Sequence, residues 1–408
     1  EGGIWADRSR SWWVAVSGRL ANRRTLVDEL LARDRIAATD EDGRILAEIF
    51  AEAGFERGLG RLQGELAILA WGPEGPWIAR DRMGHRRLYR WQEGQAICVG
   101  TRPPSRPLSP PSVQLLIERG FVPAPQSLWE GVEQLGAGQA QKLGQAPLGV
   151  WSPRPPTPGF GGARHRWART VDYGVDLAVR TRTEGAVGLL DSGGLYSRAL
   201  VRVAARREPE RIARYSFGTG EGQKIELDPA PLLDRLATFP EPLVDPQALL
   251  LLHAASLGST RLVGGWGAAE LMGEEPALSL RERLRRRAGG PRPSPWQPLS
   301  DGLAPMLGCL SEQTGVEFSA PFLDPSLVDV LASVPEGLLH WGPRGMVGSI
   351  VGAPTPAHRP LQLPLQQWLE GPLAVPGKKL PSGGRDPAHL RRCWAELVLD
   401  RWRRQHEG

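Results

Sequence analysis

The sequence predicts two halves of different class, an α+β amino-terminal half built from antiparallel hairpins and an α/β carboxyl-terminal half around a parallel sheet. Three observations predict this. Short apolar runs separated by Gly-rich turns crowd residues 65–101, the pattern of hairpins. A continuous apolar run, AVGLLDSGG (186–194), ends in Gly-Gly and feeds a helical pattern, as a fully buried strand does in the βα unit of an open parallel sheet. Between them lies the Pro/Gly-rich stretch SPRPPTPGFGG (152–162), long and stiff enough to be an interdomain linker. The expected domains are residues 1–155 and 160–408.

Along the first half, WWVAVSGRLAN from Trp12 reads as a strand running into a Ser-Gly turn. Two helices follow: Arg24 to Arg33 with Leu26, Leu30 and Leu31 on one face, and Ile45 to Ala53 with Ile45, Ile49 and Phe50, both at helical spacing. ELAILAWG (65–72), PWIARDR (76–82) and QAICVGT (95–101) are the hairpin strands. RPPSRPLSPPS (102–112) is a proline-rich break, followed by a helix from Val113 to Arg119 and further β-like segments. In the second half a helix from about Trp167 to Thr181 precedes the 186–194 run, and LYSRALVRVAARR continues it as a helix. IARYSFG (212–218) and RLVGG (261–265) are strands that each lead into a helix, and RERLRRRAGGPRPSPWQP (281–298) reads as a solvated loop.

Composition narrows the function. Of 408 residues 41% are hydrophobic, enough for large buried cores. Fifty basic against 45 acidic residues leave +5, and only Lys142, Lys224, Lys378 and Lys379 are lysines. That charge is dilute for a nucleic-acid binder. Cys98, Cys309 and Cys393 are odd in number and far apart, against a disulfide framework or zinc spacing and in keeping with a reducing compartment. No run approaches the roughly 18 apolar residues of a membrane span, and Glu1 to Arg10 lacks a signal-peptide pattern. The expectation is a soluble cytoplasmic protein. Its start at glutamate rather than methionine reads as a missing or trimmed terminus.

The sharpest motif is Asp191-Ser192-Gly193-Gly194-Leu195-Tyr196-Ser197 at the strand-to-helix turn. Glycines there let backbone approach an oxyanion, and Ser192, Gly193, Gly194 and Ser197 point hydroxyls and amides at the helix start. A packing turn would use the same glycines. The segment resembles the SGG-x-D-S pyrophosphate loop of ATP-pyrophosphatase domains, and the chain resembles the asparagine synthetase family in collinear order. ELAILAWGPEGPWIARDRMGHRRLYRW (65–91), PAPQSLWEGVEQLGAGQAQKL (123–143), GGWGAAELMG (264–273) and EFSAPFLDPSLVDVLASVP (317–335) carry it further. Glutamine-dependent asparagine synthetase, β-lactam synthetases and lasso-peptide cyclases are the relatives to compare. The resemblance implies an Ntn-type glutaminase-like first domain, here truncated, and an ATP-pyrophosphatase-type second domain that adenylates a carboxylate for attack by an amine.

The departures bear on chemistry. The family's glutaminase nucleophile is a first-residue cysteine, and no cysteine precedes Cys98; glutaminase activity is not expected. The family's NGEIYN reads Ser17-Gly18-Arg19-Leu20-Ala21-Asn22. Asp40 could match the glutamine-amine contact, although a helix N-cap is the plainer role. The aspartate of SGG-x-D-S is Tyr196, and the two of GDGADE are Trp266 and Ala269, leaving Glu270 where the family places a glutamate near the reacting acyl group. Mg²⁺ needs oxygen ligands, which a phenol, an indole and a methyl do not replace. In 340–368, where the family has lysines on phosphate, Arg344, His358 and Arg359 stand instead, with Lys378 and Lys379 further on; Arg344 and Arg359 are the candidate phosphate contacts. His85 reads as a surface residue, Asp324 as the cap of the helix at Pro325, and Tyr196, Trp266 and Met272 as an apolar lining.

The resulting expectation is a pseudoenzyme: an asparagine-synthetase-like scaffold or regulatory subunit of an amide-bond-forming, natural-product or peptide-modifying system. No cofactor and no metal are expected. Its partner would be protein, an active homologue or a peptide substrate, with a homo-oligomer open and neither nucleic acid nor membrane expected. The alternative is an active ATP- and Mg-dependent synthetase or macrocyclase, with Glu270 catalytic and Glu274, Glu275 or Asp191 holding Mg²⁺. Nucleic-acid binding through the arginines of 282–287 is a third reading.

Overall fold

Alternation along the first hairpins sets which face of the amino-terminal sheet is covered. In the strand Trp13–Leu20, Val14 is fully buried while Trp13 is 43% exposed, as the two-residue period of a strand requires. The computed structural model describes residues 3–36, 41–152, 164–180, 182, 187–206, 212–217, 220–272, 296–334, 363–374 and 387–406. Two units emerge: the first takes 1–115, 121–152 and 300–309, the second 116–120, 153–299 and 310–408.

The first unit holds β1 (Trp5–Ala6), β2 (Trp13–Leu20), β3 (Gly64–Gly72), β4 (Gly75–Arg80), β5 (Tyr89–Glu93), β6 (Ala96–Gly100), β7 (Val132–Gln134), β8 (Gln139–Lys142) and β9 (Leu148–Gly149). One antiparallel sheet has the order β1-β2-β3-β4-β8-β9 and a smaller one β6-β5-β7. The expected Ser-Gly turn is not there: β2 runs straight through it, with Gly18 opposite Leu66. A Cβ at Gly18 would lie 1.8 Å from the Glu65 carbonyl oxygen, so this glycine marks a close approach of two strands. β5 is a strand the sequence reading did not single out, although Tyr89 and Trp91 alternate with Arg90 and Gln92 at strand period.

Three helices, α1 (Arg23–Leu31), α2 (Asp42–Ala53) and α3 (Phe55–Arg61), share a core with one face of the larger sheet. Leu26, Leu30, Ile45, Ile49 and Phe50 meet Val14, Ile68 and Ala70 there, each large side chain contributing about 1.5–3 kcal/mol by leaving water. Leu31 does not join them; it is 38% exposed and Val27 is buried instead, since five positions from Leu26 is about 140° round the helix. Glu48 is wholly buried on α2, but Arg35 at 3.1 Å, Arg44 at 3.0 Å and the Arg8 N–H compensate it. The helix cap before Asp42 is Glu41, and Asp40 lies outside the described residues.

Helix α4 spans Pro110–Arg119, so it begins inside the proline-rich break. Proline lacks only an N–H that a first turn leaves unbonded anyway. Of the stretch 281–298 expected to be a loop, 281–295 lie outside the described residues, and 296–298 are helical, with Pro298–Leu303 a π-helical turn.

The second unit is built on β10 (Val187–Asp191), β11 (Ile212–Ser216), β12 (Gln223–Lys224), β13 (Arg261–Val263) and β14 (Glu317–Ser319). All neighbours pair in parallel, in the order β12-β11-β10-β13-β14. Every residue of β10 is buried, as a central parallel strand covered on both faces should be. α5 (Arg164–Arg180) precedes it and α6 (Leu195–Ala205) follows it. The two-residue β12 intervenes between β11 and the helix Pro229–Ala237. Asp324 caps the helix Pro325–Ser333, accepting from Ser326 N and Leu327 N, and pairs with Arg182 at 2.8 Å. Asp324→Ala is expected to lower stability by about 1–2 kcal/mol, read as a lower urea midpoint. Among the described residues, no helix is long and apolar enough to cross a membrane.

Candidate functional site

The strand order places a topological switch beside β10: the chain leaves it through α6 to β11 on one side, and β13 flanks it on the other. Open α/β sheets bind ligands in the crevice beyond the carboxyl ends of such strands. Two loops meet there, Ser192–Gly194 after β10 and Gly264–Gly267 after β13. A Cβ at Gly265 would be 3.1 Å from Tyr196 Cβ and 3.3 Å from Ser197 N, so glycine at 265 permits their contact.

Asp191 organises the first loop. Its Oδ1 accepts from Gly193 N at 2.8 Å and Ser197 Oγ at 3.1 Å, while its Oδ2 accepts from Glu221 N at 3.2 Å and faces Arg214 at 3.4 Å. Its side chain is 3% exposed. Oδ1 thus holds Gly193, at φ +75°, and the start of α6, while Oδ2 ties the segment after β11 to the same carboxylate. Ser192 Oγ lies 3.2 Å from Ser197 Oγ, and Ser197 also donates to Gly194 O at 3.0 Å. Sequence reading treated Asp191 as a spare metal ligand; the structure makes it the clamp of the loop, a role its position before SGG could have signalled.

Around this loop the walls are aromatic. Tyr196 is buried and meets Phe322 edge-on, with ring centroids 5.7 Å apart; Trp266, half-buried, meets Phe318 at 6.3 Å. Met272 is buried, Ala269 is half-buried and Glu270 is exposed on the one-turn helix Ala268–Leu271. Edge-on aromatic pairs of this kind are worth about 0.5–1.5 kcal/mol beyond their area. Among the described residues of these two loops, the buried carboxylate, Asp191, is committed to the loop, and a phenol, an indole and a methyl stand at 196, 266 and 269, groups that supply no carboxylate oxygen to a Mg²⁺ ion. Among the described residues no three His, Cys, Asp or Glu side chains gather closely enough to hold a metal ion. Arg344, His358, Arg359, Lys378, Lys379, Glu274, Glu275 and the arginines of 282–287 lie outside the described residues.

In the first unit the RDRMGHRR turn is a buried polar knot, which sequence reading missed. Arg80 donates to three carbonyls, Leu135 O at 2.7 Å, Gly84 O at 2.7 Å and Arg86 O at 2.9 Å. Asp81 accepts from Met83 N, His85 N and Arg86 N and lies 3.2 Å from His85 Nδ1. His85 is therefore buried, not a surface residue; its neighbours in sequence are charged, and only the fold of the turn buries it. Burial pushes the Asp81 carboxyl up, but the hydrogen bond and charge of His85, the Arg86 N–H and Arg80 outweigh it and hold it below its ordinary value. Asp301 is moved the other way: burial raises it against the pull of Arg80, the Ala124 N–H and Arg87.

Residues 4–105 match the model of a glutamine amidotransferase domain. The amino-terminal part of the chain is glutamine-amidotransferase-like. Among solved structures, glutamine phosphoribosylpyrophosphate amidotransferase from B. subtilis, complexed with ADP and GMP, is 13% identical over 89% of this chain and 82% of that one, with a TM-score of 0.27. A structure described as the allosteric regulatory enzyme of purine biosynthesis is 14% identical over 89% and 80%, with a TM-score of 0.26. No curated protein matches the chain. Within the amidotransferase-like part, Ser17 and Arg19 lie on β2 opposite Ala67 and Glu65.

Proposed function

We propose that the chain is an asparagine-synthetase-like protein whose second unit has the ATP-pyrophosphatase fold. It serves as a scaffold or regulatory subunit of an amide-bond-forming system, without ATP-dependent adenylation. The observation that carries this reading is the state of Asp191: the loop keeps its glycines and serines, yet its buried carboxylate is used internally and aromatic packing stands at the positions of the family's metal ligands. Without those carboxylates little offsets the charge of a bound polyphosphate or of its leaving group. Ser17 and Arg19, at positions where the family has an asparagine and a glutamate, support the same conclusion for glutamine hydrolysis in the first unit.

The test is a pyrophosphate-release assay with Mg-ATP and candidate carboxylate and amine substrates, paired with size-exclusion chromatography against homologues from the same source. The reading expects no release above background and a shift in elution with one homologue. Release that Ser192→Ala and Glu270→Gln both abolish would overturn it in favour of an active synthetase.

A further inference from the structure

We infer that the first unit captures an extended peptide, apolar at alternate positions, as an added strand on the open edge of β6. Two independent features converge there. The first is a backbone edge that pairs with no other strand among the described residues. Leu135 N donates to Leu88 O, and the register pairs Arg90 with Glu133 and Trp91 with Cys98. Even-numbered residues of β5 therefore bond toward β7 and odd-numbered ones toward β6. On β6 the N–H and C=O groups of Ala96, Cys98 and Gly100 turn inward to β5, and those of Ile97 and Val99 turn outward, where the sheet ends.

The second feature is the floor beside that edge. On β3, Ala67, Leu69 and Trp71 share one face; Ala67 is buried with Leu88 and Leu135, whereas Leu69 is 36% and Trp71 60% exposed. The smaller sheet thus covers one part of the larger sheet and leaves an apolar shelf beyond β6. Trp13, Ala15, Leu69 and Trp71 floor it, and Ile97 and Val99 wall it, around a groove of about 820 Å³. A strand added to β6 would lie above this shelf at the usual sheet-to-sheet spacing of about 10 Å and send every second side chain onto the tryptophans.

The shape and area select the occupant. Ile4, Trp13, Leu69, Trp71 and Ile97 expose roughly 500 Å² of apolar side chain, judged from full side-chain areas and their fractional exposures. A stable globular interface needs about 800 Å² on each partner. A second copy offering its own β6 would also bring its own shelf into the same space, because both shelves would lie on the same side of the joined sheet. A single strand of about five residues, matching the length of β6, meets neither obstacle. The inference rests on the first unit alone and stands whatever the outcome at the ATP loop.

The probe is a fluorescein-labelled synthetic heptapeptide with alternating valine and threonine between terminal lysines, titrated by fluorescence anisotropy. Saturable binding is expected, with slowed exchange of the Ile97 and Val99 amides. Val99→Pro removes an outward N–H, which an edge strand tolerates, and is expected to weaken binding by about tenfold or more, a change of about 1.4 kcal/mol. A peptide N-methylated at its pairing positions should fail against the wild-type chain, which keeps the test decisive if the proline variant misfolds. Absence of saturable binding, binding indifferent to both changes, or self-association abolished by Val99→Pro would each overturn the inference.

Discussion

Asp81→Ala is expected to cost about 3–5 kcal/mol, the range for removing one partner of a buried charge pair, and to lower the urea midpoint of the first unit accordingly. Three backbone N–H groups and the His85 ring lose their acceptor, and Arg80 loses the carboxylate whose charge does most to compensate it. The pH dependence separates this from a simple cavity. The Asp81 carboxyl is held below its ordinary value of 3.8, so its contribution is fully present above that pH and is lost as pH falls through its folded-state value. The difference between wild type and Asp81→Asn should be constant near neutrality and shrink below pH 3.8. Asp301 has the opposite sign. Its raised value means that stability falls as pH rises from 3.8 through the folded-state value, so Asp301→Asn should be far milder near neutrality than Asp81→Asn.

Asp191→Ala is the second large effect, about 3 kcal/mol by the same reasoning. Gly193 N, Ser197 Oγ and Glu221 N lose a shared acceptor, and Arg214 is left facing Glu221 alone, at 3.5 Å. Asp191→Asn should recover part of this, because its carbonyl oxygen can still accept from Gly193 N and Ser197 Oγ while its NH2 group meets Glu221 N and Arg214, themselves donors. Hydrogen exchange is the decisive readout: the amides of Gly193 and Glu221 should exchange faster in Asp191→Ala, and that of Glu221 in Asp191→Asn as well, while those of the first unit do not change. Unaltered exchange at Gly193 and Glu221 would mean that the carboxylate does not hold the loop.

Much of the fold was legible because it depends on local period. The βα unit around 186–205, the helix α2 carrying Ile45, Ile49 and Phe50, and the cap at Asp324 all follow from neighbouring residues. What escaped depends on partners distant in sequence. Gly18 reads as a turn until the Glu65 carbonyl stands against it, and His85 reads as exposed until Gly308, far along the chain, packs against its carbonyl oxygen. Arg80 finds one of its carbonyls at Leu135, 55 residues away. Ser300–Cys309 groups with the first unit, which no pattern within that segment signals. At the candidate site, the residue types at 191–197 and 266–270 could be read directly, but not the direction of the Asp191 carboxylate, and that direction decides what the loop can hold.

We propose that the loop after β10 lacks the capacity for metal-assisted nucleotide binding. Calorimetric titration of the chain with ATP, in the presence and absence of Mg²⁺, tests it most directly. The account predicts the same weak or undetectable heat in both titrations. Saturable binding that requires Mg²⁺ and is lost in Ser192→Ala would contradict it.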